Sequence, residues 1–211
     1  MTLTSIDDAL RRIRRGEMVL VVDDEDRENE GDLTIAAEWV TPEAINFMLR
    51  WARGLVCMPC DGVVLDKLEI PQMLTSPGCD TAFTVTIDHL DAGSGIGAAD
   101  RALTVQKVLD PGSRAEHFIR PGHVFPLRAK DGGVLERRGH TEAAVDLARL
   151  AGCAPVAVIC EVLHDDGSPA RFPYLELFAQ EHRIALVSVA QLADYRESAG
   201  TAPSSSRTLL L

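Results

Sequence analysis

MVLVVDDEDRENEGDLTIAA, residues 18–37, sets two apolar runs on either side of an acidic loop, and its reading decides the fold class. Residues 18–22 are a short β-branched run consistent with a buried strand, and residues 33–37 are a second apolar stretch. Between them, residues 23–32 carry seven carboxylates with Arg27 set among them. Charges packed this closely at a strand end repel one another unless a cation or substrate hydroxyls compensate them. A solvated surface loop is the plainer account of such a run. Two details favour the first account. The loop follows a buried strand directly, and Arg27 is a fixed cation able to hold an anion or orient a carboxylate.

Upstream, residues 1–16 (MTLTSIDDALRRIRRG) read as an amphipathic helix charged throughout, without the continuous apolar core of a secretory signal. Downstream, Thr41 caps a helix that starts at Pro42. Strands are expected at 54–58 and, with alternating polarity, at 83–88. Helical spacing over 100–109 stops at Pro111-Gly112, and residues 120–127, with Pro121, Gly122 and Pro126, predict a rigid run of turns. A helix over 141–151 closes at Gly152, a strand follows at 156–163, and Asp165-Asp166-Gly167 makes a turn. A helix at 174–181, a strand at 184–189 and a short helix complete a single domain, 1–196. Residues 197–211, rich in Ser, Ala and Thr, predict a disordered tail. Strands and helices interleave without a regular βαβ period, repeat, dinucleotide fingerprint or P-loop. That order favours an α+β fold, a mixed sheet covered by helices, over a Rossmann or barrel pattern.

Composition narrows the function. The 211 residues, 46% of them hydrophobic, suffice for one sizeable core. A net charge of −11 repels phosphodiester backbones and anionic lipid headgroups, so nucleic-acid and membrane roles are disfavoured. A local basic pocket for a small anion remains compatible with it. No apolar stretch approaches the roughly 20 residues that span a bilayer. Five scattered cysteines do not suggest a disulfide framework, which points to a reduced, cytoplasmic protein.

Three further segments bear on chemistry. Arg137-Arg138-Gly139-His140-Thr141-Glu142 sets two arginines, a glycine and a hydroxyl residue at a helix start, whose free N–H groups favour anions. Gly139 would let backbone approach a phosphate, and His140 adds an imidazole for a metal or a proton. An ordinary capped helix with surface arginines fits equally well. Glu161 ends an apolar run: it is either a strand-end carboxylate making a structural hydrogen bond, or a buried one whose raised pKa suits proton transfer. In Pro121-Gly122-His123 a stiff turn holds a histidine. The single pair Cys57 and Cys60 lacks the further ligands of a zinc site and the βαβ setting of a redox motif.

Taken together, VVDDEDRENEGDLTIAAEWVT, RPGHVFPLRAKDGGVLERRGHTEAAVDLARLAG and ICEVLHDDGSPAR resemble, in order, the signature blocks of the 3,4-dihydroxy-2-butanone 4-phosphate synthase family. The resemblance runs over residues 6–196. It implies a one-domain, three-layer α/β/α arrangement with a mixed twisted sheet, acting as a homodimer with active sites near the interface. It implies a lyase of riboflavin biosynthesis that turns D-ribulose 5-phosphate into L-3,4-dihydroxy-2-butanone 4-phosphate and formate. The reaction passes through a metal-stabilised enediolate, dehydration, a skeletal rearrangement and loss of C4. Two magnesium (or manganese) ions would be held by Glu28 and His140. Arg27 and Asp32 match positions that contact the sugar, and Arg137, Gly139, His140 and Thr141 match the substrate and phosphate loop beside Arg138. His123 and Glu161 match positions essential for proton transfer, to which Asp32 could contribute.

Two positions depart from the family pattern. Where it reads Thr-Gly-Ile-Ser, this chain has Ser94-Gly95-Ile96-Gly97; Ser94 keeps a hydroxyl able to hold phosphate and Gly97 has lost one. Pro169 stands where methionine is common. The first change predicts a weaker phosphate site, or a paralogue acting on another ketose phosphate. A non-catalytic metal- or sugar-phosphate-binding protein is a third reading, opposed by the intact set Glu28, Asp32, His123, His140 and Glu161.

Overall fold

The computed structural model describes residues 3–198 other than 75, 77 and 79, together with residue 200. Helix α1 (Ile6–Ile13) starts where the Ser5 hydroxyl accepts the Asp8 N–H, and it buries Ile6, Ala9, Leu10 and Ile13 along one side. Strands β1 (Val19–Val22) and β2 (Gly31–Ala36) pair antiparallel across the acidic loop, with Val22 opposite Gly31. Thr41 caps α2 (Pro42–Phe47), which runs into a π-helical turn, Met48–Ala52, closed by Arg53 in the left-handed region. Then come β3 (Cys57–Cys60), α3 (Gly62–Lys67), β4 (Ile87–His89), α4 (Ala98–Val108), β5 (Phe118–Arg128) and α5 (His140–Leu150). The chain continues through β6 (Ala157–Glu161), α6 (Phe172–His182), β7 (Ala185–Ser188) and α7 (Val189–Ser198).

The seven strands form one mixed sheet in the order β4-β5-β3-β6-β2-β1-β7. Strand β1 is buried from end to end because its alternate side chains enter two different cores. Leu20 and Val22 join Leu33 and Ile35 against Ile45, Val105 and Leu175 of α2, α4 and α6. Val19 and Val21 meet Leu10, Leu147 and Leu192 of α1, α5 and α7. The result is the expected α+β fold: three layers, helices on both faces of a mixed sheet, with each fully buried Leu or Ile worth about 1.5–3 kcal/mol.

The structure corrects the sequence reading in four places, the first being the strand expected over 83–88, which is only β4 at Ile87–His89 with Phe83 and Thr84 in isolated bridges. Residues 120–127 are not a run of turns but part of β5, the long strand between β4 and β3. Ile119 pairs with Asp88 and Val124 with Ile87, so residues 120–123 bulge out of the ladder, where Pro121 and Gly122 are tolerated. Gly122 is required there, since a Cβ would lie 2.0 Å from the Ile87 carbonyl carbon. The strand expected over 54–58 is β3, shifted so that Cys57 and Cys60 are its two ends. Three residues apart in a strand, the two thiols enter different cores and are both free, so they form no redox or zinc pair. Finally, Glu197 and Ser198 belong to α7 rather than to the tail; residues 201–211 of the expected disordered tail lie outside the described residues.

Candidate active site

The acidic loop is organised from within. The fully buried Asp23 carboxylate accepts the backbone N–H groups of Glu28 (3.1 Å) and Glu30 (2.8 Å) and the Arg27 guanidinium at 2.7 Å. Arg27 also grips Glu28 at 2.9 and 3.0 Å. Arg171, at the start of α6, donates to the carbonyls of Glu28 and Asn29 and so fixes the loop from outside. Asp23 and Glu28 are therefore held in one arrangement, while Glu25 and Asp26 stay on the exposed side of the loop.

Across from this loop, Gly139 caps α5 and His140 is its first residue. His140 is 7% exposed, its Nδ1 lies 3.7 Å from Glu28 Oε2, and its Nε2 is buried without a partner. The floor comes from adjacent strands, where Asp32 of β2 lies opposite Glu161 of β6. One Asp32 oxygen is likewise buried and unpartnered. Glu161 is half-buried and accepts the Leu55 N–H at 2.8 Å. Its backbone and carboxylate press on Gly54, where a Cβ would come within 2.5 Å of both. These groups line a cavity of about 350 Å³ together with Arg27, Glu30, Cys57, Arg137 and Thr141.

Burial pushes Asp32 up to about 7, reinforced by Glu161 and Glu28 and opposed by His140. For His140 burial opposes the charge, but Asp32, Glu28 and Asp23 outweigh it and raise the imidazole to about 9. His140, against the cost of burial and with help from Arg27, holds Glu28 down to about 2. Asp23, Glu28 and His140 each place a ligand atom within 4.8 Å of the others. Carboxylate oxygens with one imidazole suit a hard divalent cation, and the bare His140 Nε2 and Asp32 oxygen are polar atoms of the kind that need such a partner.

Arg137 forms the wall between this cavity and a larger one of about 730 Å³, lined also by Arg27, Arg128, Lys130 and the acids Asp80, Asp131 and Glu136. Thr141 lines the smaller cavity, whereas Arg138 is exposed and lines neither. The space that Gly139 leaves free is taken by the Arg137 guanidinium, 2.2 Å from where a Cβ would stand.

His123 lies elsewhere, on the β5 bulge. Its Nδ1 is 2.6 Å from Asp88 Oδ2, and its backbone N–H donates to the other Asp88 oxygen at 2.8 Å. The loop carrying Ser94 packs on this pair, for a Cβ on Gly95 would lie 2.1 Å from Asp88 Oδ2. Gly97 is the residue before α4, with φ −62° and ψ 153°. Pro169 is exposed at the end of the 165–167 turn, away from both cavities.

Of the residues singled out from sequence, Arg27, Glu28, Asp32, Arg137, His140, Thr141 and Glu161 line one cavity, while His123 and Ser94 share a separate flank. Asp23, Glu30 and Glu142 were read only as members of their segments and Cys57 only as half of a pair with Cys60, and Asp88 was given no role. Asp23 carried a usable signal, since the first polar residue after a buried strand is placed to cap the loop that follows.

A fixed acidic loop facing a helix N-terminus and a buried imidazole defines a class: a site for a hard divalent cation together with a small polar anion. The comparisons narrow the class. Residues 7–195 match the family model of 3,4-dihydroxy-2-butanone 4-phosphate synthase, and the chain belongs to that family. It is 54% identical, over 92% of its length and 93% of the relative's, to the 3,4-dihydroxy-2-butanone 4-phosphate synthase of Agrobacterium fabrum. Its identity to the Neisseria meningitidis serogroup B protein of the same name is 50% over 95% of this chain, which spans 58% of that longer relative. A solved 3,4-dihydroxy-2-butanone 4-phosphate synthase in complex with two magnesium ions superposes with a TM-score of 0.88 at 40% identity, over 94% of this chain and 99% of that one.

Proposed function

We propose that this chain is a carbon–carbon lyase of riboflavin biosynthesis that converts D-ribulose 5-phosphate to L-3,4-dihydroxy-2-butanone 4-phosphate and formate. The observation that carries the reading is the 350 Å³ cavity in which Glu28, Asp32, His140 and Glu161 converge with Arg27 and Arg137. Glu28 and His140 would hold magnesium or manganese, two ions per site, which when bound would supply Lewis-acid chemistry to the ketose. The chain's own groups do the rest. Arg27, locked by Asp23, orients the sugar. Asp32 and Glu161 present carboxylates from neighbouring strands for successive proton transfers. Arg137 and the Thr141 hydroxyl at the α5 N-terminus take the phosphate.

His123 supplies a further proton-transfer group: Asp88 engages Nδ1 and leaves the far nitrogen free. Because His123 lines neither cavity, this role goes with a homodimer in which a second copy presents its flank near the site. Leu90, Ile96 and Ile119, large apolar side chains left exposed around that flank, support the pairing. Cys57, Cys60 and Cys160 are free thiols, in keeping with work in the cytoplasm; among the described residues no helix is long and apolar enough to cross a membrane. The test is turnover of D-ribulose 5-phosphate with magnesium, scored for formate. Equimolar formate, abolished by excess chelator and restored by magnesium, is expected; formate at full rate in chelator would remove the metal from the account.

A further inference from the structure

Glu142 has no place in the proton chemistry above, yet its carboxylate is buried beside the cavity wall, the residue being 1% exposed. We infer that Glu142 is a positioning residue that holds the Arg137 guanidinium at the wall shared by the two cavities and so sets affinity for the substrate phosphate. The inference rests on the reading of Arg137 as a phosphate contact.

Three contacts define the guanidinium. Glu142 Oε2 accepts Arg137 Nη1–H at 2.6 Å, and Arg137 Nη2–H donates to the Thr81 hydroxyl at 3.2 Å. The third is steric: only glycine at 139 leaves room for Nη1. The other Glu142 oxygen accepts the Lys130 N–H at 3.1 Å, so one buried carboxylate pins both the 130–133 turn and the arginine. The remaining guanidinium N–H groups are left for an anion. Without Glu142, the acids Asp80, Asp131 and Glu136 of the same cavity compete for Arg137 and draw it off the wall. One turn further along α5, Asp146 is equally buried but faces other partners: the Val134 N–H at 2.9 Å and Arg196 at 2.5 Å. It secures the fold around α7 and serves as the control.

The experiment pairs steady-state kinetics of the magnesium-loaded enzyme with calorimetric titration of inorganic phosphate into the same protein. Glu142→Gln should raise KM about tenfold, the scale of one charge-assisted hydrogen bond, with kcat within about threefold of the parent. The phosphate Kd should rise by the same factor. In an Arg137→Ala background, Glu142→Gln should change neither constant further. Glu142→Asp keeps the charge but is one methylene short; it should show a smaller rise in the same direction, and it carries the test if the Gln variant does not fold. Asp146→Asn should lower the melting temperature and leave KM alone. A folded Glu142→Gln protein with native KM and phosphate affinity overturns the inference. So do equal increments with and without Arg137, or a KM rise in Asp146→Asn as large as in Glu142→Gln. If the parent releases no formate, the functional reading fails, and the phosphate titrations still decide what Glu142 does.

Discussion

Two histidines in this molecule stand beside a carboxylate, and they are built for different work. His140 is sealed in the cavity, its Nδ1 3.7 Å from Glu28 and its Nε2 bare. The His123 side chain is 42% exposed and closes on Asp88 at 2.6 Å. The closed pair engages Nδ1 and turns the other ring nitrogen away from Asp88. The open arrangement has no such closure; with Asp23 its ligand atoms lie within 4.8 Å of one another. The first site grows from a loop and a helix start, the second from a bulge in β5, so each can be broken while the other stands.

The largest effects should come from the cavity. Losing a metal ligand removes several kcal/mol of charge stabilisation, so with Glu28 and His140 as the proposed ligands, Glu28→Gln and His140→Ala should each cut kcat/KM by about 10³-fold or more, with manganese binding lost in a calorimetric titration. His123→Ala should cost less, about 10²-fold in kcat, with manganese affinity unchanged. If His123→Ala weakens manganese binding as much as His140→Ala does, the two-site division is wrong. Glu161→Gln should also cost about 10²-fold in kcat, because the amide oxygen can still accept the Leu55 N–H and keep the fold. Near-native turnover would make Glu161 structural.

A smaller effect probes the flank through its backbone. Gly122→Ala must displace β4, since the new Cβ would collide with the Ile87–Asp88 peptide. Moving Asp88 and His123 together should lower kcat about tenfold or more, with manganese affinity retained. Loss of manganese binding in that variant would show that flank and cavity are one unit.

The smallest effect concerns Gly97. The residue precedes α4 in extended backbone, and the nearest atom to an added Cβ is 3.6 Å away. Serine fits there and would cap the helix, so Gly97→Ser should add a few tenths of a kcal/mol, read as a rise of about 1 °C in the melting temperature. Against the sequence expectation of a weakened phosphate site, KM should move less than about twofold, because Gly97 lines neither cavity. A several-fold lower KM would put that hydroxyl on the phosphate and tie the flank to the cavity.

How far the sequence could be read follows from which interactions are local. The β1 run, the Thr41-Pro42 start of α2 and the close of α5 at Gly152 were legible because each rests on neighbours in the chain. So was the convergence of the acidic loop with the segment around His140, though only through resemblance to a family; spacing alone left it open. β5 was not, because Pro121, Gly122 and Pro126 are ordinary turn residues and only pairing with β3 and β4 makes them a strand. The Asp88–His123 pair was hidden by the same bulge, which brings together residues with no sequence relation. Glu142 looked like a common helix-start acid until its two distant partners, Lys130 and Arg137, were in place.

In the proposed reaction the cavity of Glu28, Asp32, His140 and Glu161 cuts a five-carbon sugar phosphate into a four-carbon product and formate. D-Ribulose 5-phosphate labelled with carbon-13 at C4 alone tests it most directly, followed by NMR with magnesium present. The label should appear in formate at the rate of substrate loss. Label retained in the phosphorylated product, or substrate loss without formate, would contradict it.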